Sequence, residues 1–240
     1  MKVFTTLLRT ELKLSLRGMD MIIFAICLPV IVMVILGIVY GNNPENLAAS
    51  FPAVSTIAIC AGGVMGLPLV ISGYRQNKIL KRFKVTPVSP ALLLFVQTMI
   101  YTIYSVVSLI LVYLTASIFF GFRLPGSWLQ FIGAFVLVMI SMFSIGMLVG
   151  GVSPNTKIAS IVASILYFPM LIFSGATLPY EVMPTPLQKA ADIMPLTQGI
   201  KVLKAVSLDE PIDNIILSLI IICAIAIVCT VLSVKFFKWE

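Results

Sequence analysis

Long apolar runs alternate with short polar segments along this chain. Six runs carry no charged residue and are long enough to cross a hydrocarbon core of about 30 Å as helices. They cover residues 21–40, 52–73, 91–119, 128–152, 158–178 and 214–234. Continuous hydrophobicity distinguishes them from barrel strands, in which polar and apolar positions alternate. The pattern therefore predicts an all-α integral membrane protein, with six transmembrane helices in a single domain over residues 1–240.

The first 20 residues predict an amphipathic helix that lies at the membrane interface. Its apolar side would contact acyl chains and its basic side anionic headgroups. The basic residues are Lys2, Arg9, Lys13 and Arg17, and Glu11 falls within the apolar arc. We expect Glu11 to tip toward water or to pair locally. A contact with the basic loop described next, or with a partner protein, is the alternative.

A basic segment at residues 74–90 separates the second and third runs. On a helical wheel with about 100° per residue, its basic residues share one face and its apolar residues share the other. These are Arg75, Lys78, Lys81 and Arg82 against Ile79, Leu80 and Phe83. Gly73 and Pro87 bound the segment, which predicts a short amphipathic helix. Two interpretations stay open: a charged loop that only fixes topology, and a docking site for another protein.

Basic residues concentrate on one side of the predicted spans. Twelve of the 16 Lys and Arg residues precede the first run, lie in the second or fourth loop, or follow the last run. The other side receives Arg123, Lys189, Lys201 and Lys204. The positive-inside rule then predicts that both termini are cytoplasmic. The net charge of +7 is thus a topology signal, and no nucleic-acid partner is expected.

Composition excludes several kinds of membrane protein. The chain has no histidine, and its six runs hold no Asp, Glu, Lys or Arg. Proton-coupled carriers commonly need an ionisable group in the membrane, so they are excluded. A sodium-coupled carrier is excluded less strongly, because carbonyl groups can bind sodium. The residues for an intramembrane protease or a metal enzyme are absent, and the four cysteines, all within the runs, predict neither a disulfide nor a metal site.

The source of energy is a further constraint. No Gly-x-x-x-x-Gly-Lys-Ser/Thr motif occurs, so the chain has no P-loop of its own to hold ATP phosphates. We therefore expect no cofactor on this chain, and ATP-driven work would require another subunit. That requirement favours the docking interpretation of the basic segment, as a lever on which a soluble motor pushes.

Polar side chains follow one face of the third run and one face of the fifth. The third run carries Gln97, Tyr101, Ser105 and Ser108, and the fifth carries Ser160, Ser164, Tyr167 and Ser174. Each stripe either lines a translocation path or forms hydrogen bonds between helices, and both alternatives stay open. Two glycine pairs, Gly62 with Gly66 and Gly146 with Gly150, predict close helix packing, within the chain rather than between copies.

Residues 179–212 predict an external region with two short helices. These helices are too short and too polar to cross a bilayer, so we expect them to lie at the outer leaflet or to re-enter it. Thr185 is the expected N-cap of the first, with Pro186 at the first helical position and Gln188 completing a capping box. Pro195 breaks the chain before the second helix.

These features together resemble the type-2 ABC transporter permeases over nearly the whole chain. The residues that carry the resemblance are Lys81-Arg82-Phe83-Lys84-Val85-Thr86-Pro87-Val88-Ser89-Pro90, Phe173-Ser174-Gly175-x-x-x-Pro179, Met183-Pro184 and Met194-Pro195-Leu196-Thr197. The resemblance implies a permease that pairs with a second copy of itself or with a homologous permease. It also implies two copies of a separate subunit that binds ATP and Mg²⁺.

The resemblance also implies roles for individual residues. The coupling helix would contact the ATPase through Arg75, Lys78, Ile79, Lys81, Arg82 and Phe83, and the N-terminal helix through Arg9, Glu11, Lys13 and Arg17. Ser160, Ser164, Tyr167 and Ser174 would line the conduit, and Gly175, Pro179, Pro184 and Pro195 would belong to the external gate. The chain departs from the family early in the coupling segment, where Gln76, Asn77 and Lys78 replace a frequent acidic residue and glycine.

The expected function is that of the permease subunit of an ATP-driven exporter in a bacterial inner or plasma membrane. Its substrate would be hydrophobic or amphipathic, such as a drug, a peptide or a lipid-like molecule, and membrane lipid would surround it. The alternative is a membrane sensor or immunity protein that transports nothing and uses the basic segment to recruit a cytoplasmic partner.

Overall fold

The computed structural model describes residues 2–40, 44–79, 90–177, 183–211 and 215–237, and every regular element in these ranges is a helix. After α1 (Lys2–Gly18), α2 joins Asp20–Ile22, Ile23–Cys27 and Leu28–Tyr40, and α3 joins Pro44–Cys60, Ala61–Gly66 and Leu67–Gln76. The others are α4 (Pro90–Phe120), α5 (Trp128–Val152), α6 (Thr156–Phe173), α7 (Thr185–Asp192), α8 (Pro195–Ser207) and α9 (Ile216–Phe236).

Six helices of the described ranges are long and apolar enough to cross a membrane. They lie in α2, α3, α4, α5, α6 and α9, one for each apolar run of the sequence. The predicted all-α fold with six transmembrane helices is therefore confirmed. The agreement has a simple cause: a helix satisfies its own backbone hydrogen bonds, so an uncharged apolar run of this length forms one wherever water is excluded.

The second span is longer than its apolar run at both ends. It begins at Pro44 and contains Pro52. It continues through Gly73 to Gln76, so the prediction that Gly73 bounds the basic segment is wrong. A glycine in a helix interior costs only about 1 kcal/mol relative to alanine. The helix ends instead near Lys78, where the backbone takes a φ of 55°.

Two predictions about the external region also need correction. The helix of the fifth span ends at Phe173, short of the predicted residue 178, and Gly175 follows with a φ of 90° that favours glycine. The N-cap position of α7 is Pro184 and not Thr185. A capping box would need the side-chain oxygen of Gln188 to accept from the Thr185 backbone N–H, and the contacts of the described residues include no such bond. The amide nitrogen of Gln188 donates instead to the carbonyl oxygen of Met183 at 3.0 Å.

The central helix of the bundle is α3. In its membrane-spanning window 83% of the residues are buried, against 22% in the first, fifth and sixth spans. Glycines permit this close packing: a Cβ added to Gly146 on α5 would lie 1.8 Å from the carbonyl oxygen of Gly63, and one added to Gly66 would lie 2.7 Å from the Tyr101 ring. The glycine pairs therefore pack within the chain, as expected.

The two ends of the bundle are built differently. α1 packs against α4 at one end, whereas α8 packs among α3, α5 and α9 at the other. We call these the α1 end and the α8 end. Because α3 runs from one to the other, it connects the basic segment, which begins in its last turn, with the short helices after α6.

Candidate functional site

The end of α3 that adjoins the basic segment bonds to several other helices. Three consecutive residues, Tyr74, Arg75 and Gln76, each contact a different part of the bundle, and we call them the junction. Tyr74 donates a hydrogen bond from its hydroxyl group to Oε2 of Glu11 on α1 at 2.8 Å. Gln76 accepts hydrogen bonds at Oε1 from Thr156 at the start of α6, from the backbone nitrogen at 3.0 Å and from Oγ1 at 2.8 Å.

Arg75, the middle residue of the junction, points into the chain. Its side chain is only 8% exposed. One guanidinium nitrogen, Nη2, donates to the carbonyl oxygen of Gly151 at 2.6 Å, and the other, Nη1, donates to the carbonyl oxygens of Gly150 and Ser153. These carbonyls belong to the end of α5, where a helix has unsatisfied acceptors and a partial negative charge. Arg75 thus caps α5 and fastens it to α3, and its Cζ also lies 5.6 Å from the centroid of the Phe237 ring.

The other residues of the predicted coupling helix are only partly described. Lys78 is exposed beyond the end of α3, and Ile79 is half-buried. Lys81, Arg82 and Phe83 lie outside the described residues, so their predicted contact with an ATPase stays a prediction. Gln76, one of the residues that depart from the family pattern, has a role within the chain, because its side chain bonds to α6.

Glu11 is bonded within the chain through two neutral donors. Besides Tyr74, the Nε2 group of Gln97 on α4 donates to its Oε2 at 2.8 Å, and Gln97 also contacts the Tyr74 hydroxyl group. Within the described part of the chain, no Lys or Arg nitrogen lies within 4 Å of this carboxylate. The bond to Tyr74 joins α1 to the first residue of the basic segment.

The basic side of α1 is exposed. Arg9, Lys13 and Arg17 all project away from the bundle. The opposite side packs on α4, where the rings of Phe4 and Phe95 lie 6.0 Å apart and the Tyr104 hydroxyl group donates to Oγ of Ser15 at 3.0 Å. These contacts hold α1 beside the junction.

A cavity of about 580 Å³ opens between α1 and the ends of α2, α3 and α4. We call it the α1 cavity. Glu11, Tyr74 and Gln97 form its polar side, and Ile79 also lines it. Two segments of π-helix, Ile23–Cys27 and Ala61–Gly66, border it through Phe24 and Met65. Such segments are rare and frequently occur at functional sites.

A second cavity, of about 520 Å³, lies at the α8 end. We call it the α8 cavity. It brings together Ser174 and Gly175 from the segment after α6 with Thr197, Lys201 and Lys204 of α8. The Thr197 hydroxyl group is buried and has no hydrogen-bond partner within the described residues. Lys201 pairs with Asp192, with Nζ 2.7 Å from Oδ1.

The remaining candidate conduit and gate residues that the structure describes do not line this cavity. Ser160 and Ser164 are half-buried on α6. Tyr167 is buried on the same helix, and its hydroxyl group has no partner in the described ranges. Pro184 and Pro195 stand at the starts of α7 and α8, whereas Pro179 lies outside the described residues. Of the four predicted conduit residues, only Ser174 lines the α8 cavity.

Sequence reasoning missed the polar face of α8. Thr197, Lys201 and Lys204 follow one another at intervals of four and three residues, which places them on one side of a helix. That spacing was a usable signal. It does not predict a cavity, however, because the facing wall comes from α2, α3 and the segment after α6.

The described residues contain no cluster of three or more His, Cys, Asp or Glu side chains that could hold a metal ion. The α1 end offers hydrogen-bonded links between helices, and the α8 end offers a polar cavity. Among the described residues, neither end presents a nucleophile with a base. The arrangement is suited to binding and to transmitting movement between helices.

The sequence was also compared with known proteins. A model of the family described as ABC-2 type transporter matches residues 2–208. Nodulation protein J of Rhizobium leguminosarum bv. viciae is 28% identical over 104 residues, which cover 42% of this chain and 40% of that protein. Nodulation protein J of Sinorhizobium fredii (strain NBRC 101917 / NGR234) is 27% identical over 111 residues, 45% of this chain and 42% of that protein. The alignments thus span about two fifths of the length of these relatives.

Proposed function

Because the chain belongs to the ABC-2 type transporter family, we propose that it is the membrane permease subunit of an ATP-driven exporter. The family match and the six apolar helices make it a multi-pass membrane protein. Two copies of a separate subunit bind and hydrolyse ATP with Mg²⁺, and a second copy of this permease or a homologous one completes the transporter. The membrane is a bacterial inner or plasma membrane, as the bacterial relatives suggest, and both termini are cytoplasmic.

The observation that carries this proposal is the junction. The basic segment begins in the last turn of α3, and that turn is bonded to α1, α5 and α6 through three adjacent side chains. A displacement of the basic segment by a partner protein is therefore passed to several helices at once. A loop that only fixed topology would need no such connections.

The ATPase contacts the basic segment and the exposed side of α1. Lys78, Ile79, Lys81, Arg82 and Phe83 form one part of this surface, and Arg9, Lys13 and Arg17 form the other. Glu11 holds α1 in place beside them. Arg75 acts as a positioning residue, because its guanidinium group is bonded to the carbonyl groups at the end of α5.

The substrate is hydrophobic or amphipathic and leaves through the α8 end. Ser160, Ser164, Tyr167 and Ser174 guide it along α6, and the segments at Gly175, Pro179, Pro184 and Pro195 close the exit. The α8 cavity supports this route, because it joins Ser174 and Gly175 with the polar face of α8.

The first test is whether a P-loop ATPase gene adjoins the gene for this chain, since its absence would weaken the proposal. The second is to co-express the chain with such an ATPase, and to compare the wild type with the triple variant Lys78→Glu, Lys81→Glu and Arg82→Glu. We expect the variant to lose the co-purified ATPase and ATP-dependent export. The matched control reverses two charges at the other end, Lys189→Glu and Arg123→Glu, and should keep both. Normal binding and export by the triple variant would contradict the docking surface, and an ATPase that binds without any export would favour the non-transporting alternative.

A further inference from the structure

We propose that the α1 cavity binds a membrane lipid with a primary ammonium headgroup, an aminophospholipid of the leaflet that surrounds the α1 end. The ammonium group contacts the carboxylate of Glu11, and the upper part of an acyl chain lies along the apolar wall. Binding at this site requires neither ATP nor transport, so it is independent of the proposed function.

The first argument is that Glu11 has no positively charged partner among the described residues. This side chain is half-buried at the edge of an apolar cavity, where an ionised carboxylate needs a partner. Both of its described donors, Tyr74 and Gln97, are neutral and bond to the same oxygen, Oε2. Its second oxygen, Oε1, accepts no hydrogen bond from the described residues. An ammonium group supplies both the missing donor and the missing positive charge.

The second argument is the shape and lining of the cavity. Its volume of about 580 Å³ lies within the usual range of ligand pockets, about 300–1,000 Å³. Beyond the polar side, the wall is apolar and includes Phe24, Met65, Leu69 and Val70. Leu14 and Phe24 also line the cavity and are 56% and 47% exposed. An α1 that lies at the membrane interface, as its amphipathic pattern predicts, would place these two side chains beside lipid. An occupant with a charged head and an apolar tail matches both parts of the lining.

The third argument is that the polar side is already held in place. Tyr74 and Gln97 bond to each other as well as to Glu11, and they stand on two spans, α3 and α4. The carboxylate is therefore positioned before a ligand arrives, which lowers the entropic cost of binding. A side chain that served only to anchor α1 would not need a charge.

The test is native mass spectrometry of the full chain, loaded with equal amounts of phosphatidylethanolamine and phosphatidylcholine that carry the same acyl chains. Phosphatidylcholine has a positive charge but no N–H group to donate. We expect the wild type to retain phosphatidylethanolamine in preference by about tenfold, the effect of one charge-assisted hydrogen bond. The variant Glu11→Gln keeps the acceptor for Tyr74 and Gln97 and should bind the two lipids equally.

The matched control is Lys13→Gln, an exposed residue of the same helix that does not line the cavity. It should keep the wild-type preference. Equal retention by the wild type, or an unchanged preference in Glu11→Gln, would overturn the proposal. If Glu11→Gln loosens α1, the variant Val70→Trp decides the matter, because it fills the apolar wall and leaves the polar group intact. Undiminished retention of phosphatidylethanolamine by Val70→Trp would show that the lipid binds elsewhere.

Discussion

The two ends of α3 are held by different forces. At the α1 end, directional side-chain hydrogen bonds join α3 to α1, α5 and α6. At the α8 end, the side-chain bonds of α3 stay local within the described residues, as in Ser50, whose hydroxyl group donates to the carbonyl oxygen of Asn46. Aromatic packing dominates there, with the Phe51 ring 4.9 Å from Phe122 and 5.5 Å from Phe131.

This contrast distinguishes an end that transmits movement from an end that accommodates it. Hydrogen bonds weaken steeply when their geometry changes, so helices bonded in this way move together. Apolar contacts are non-directional and tolerate small displacements. α8 is bonded through Gln198 to Asp192 and Ser218, which lie on α7 and α9.

The largest effect is expected from Arg75→Ala. The change removes the donors that satisfy the carbonyl groups at the end of α5 and should lower the free energy of unfolding by about 2–4 kcal/mol. Unfolding of the purified chain in detergent would measure it. Arg75→Lys should recover only part of the loss, because an ammonium group lacks the planar fork of a guanidinium group. The control is Arg123→Ala, because Arg123 is exposed and its loss should hardly change stability. If Arg75→Ala lowered the free energy of unfolding as little as Arg123→Ala, Arg75 would not hold α5 to α3.

A smaller decrease in the free energy of unfolding is expected from Tyr74→Phe, which deletes the hydroxyl donor and keeps the ring. We expect about 1.5–2 kcal/mol, because this hydroxyl group donates to a carboxylate and bonds to charged groups contribute about 1.5–3 kcal/mol. A double-mutant cycle with Glu11→Ala, which removes the acceptor, would measure whether the two residues are coupled, with about 0.5–3 kcal/mol expected for groups in one network. Strictly additive effects would mean that this bond does not join α1 to α3.

The smallest effect, and one of opposite sign, is expected from Thr197→Val in the α8 cavity. The substitution replaces a buried hydroxyl group that has no described partner with a methyl group of similar size. It should leave stability unchanged or raise it by up to about 1 kcal/mol. Ser218→Ala is the comparison, since its hydroxyl group donates to Oε1 of Gln198 at 2.7 Å and its loss should destabilise the chain. Marked destabilisation by Thr197→Val would mean that the hydroxyl group has a partner at the α8 end.

The sequence predicts which segments form helices, but it does not predict where all of these helices begin and end. The spans were correctly predicted because hydrophobicity over about 20 residues is a local property. The end of α3 was not, because Gly73 is a weak helix breaker and the three residues after it are stabilised by partners far along the chain. The capping prediction at Thr185 failed for a related reason, since the local motif did not reveal that Gln188 would bond to Met183.

The sequence by itself determined the fold class, the number of spans and the asymmetry of basic charge, because these follow from composition and spacing along the chain. Only the tertiary structure decided the direction of Arg75, the partners of Glu11 and the association of Ser174 with Lys201 and Lys204. A helical wheel assigns each residue to a face of its own helix. It carries no information about which helix lies opposite, and that neighbour determines whether a charge meets a carbonyl group, an amide group or a cavity.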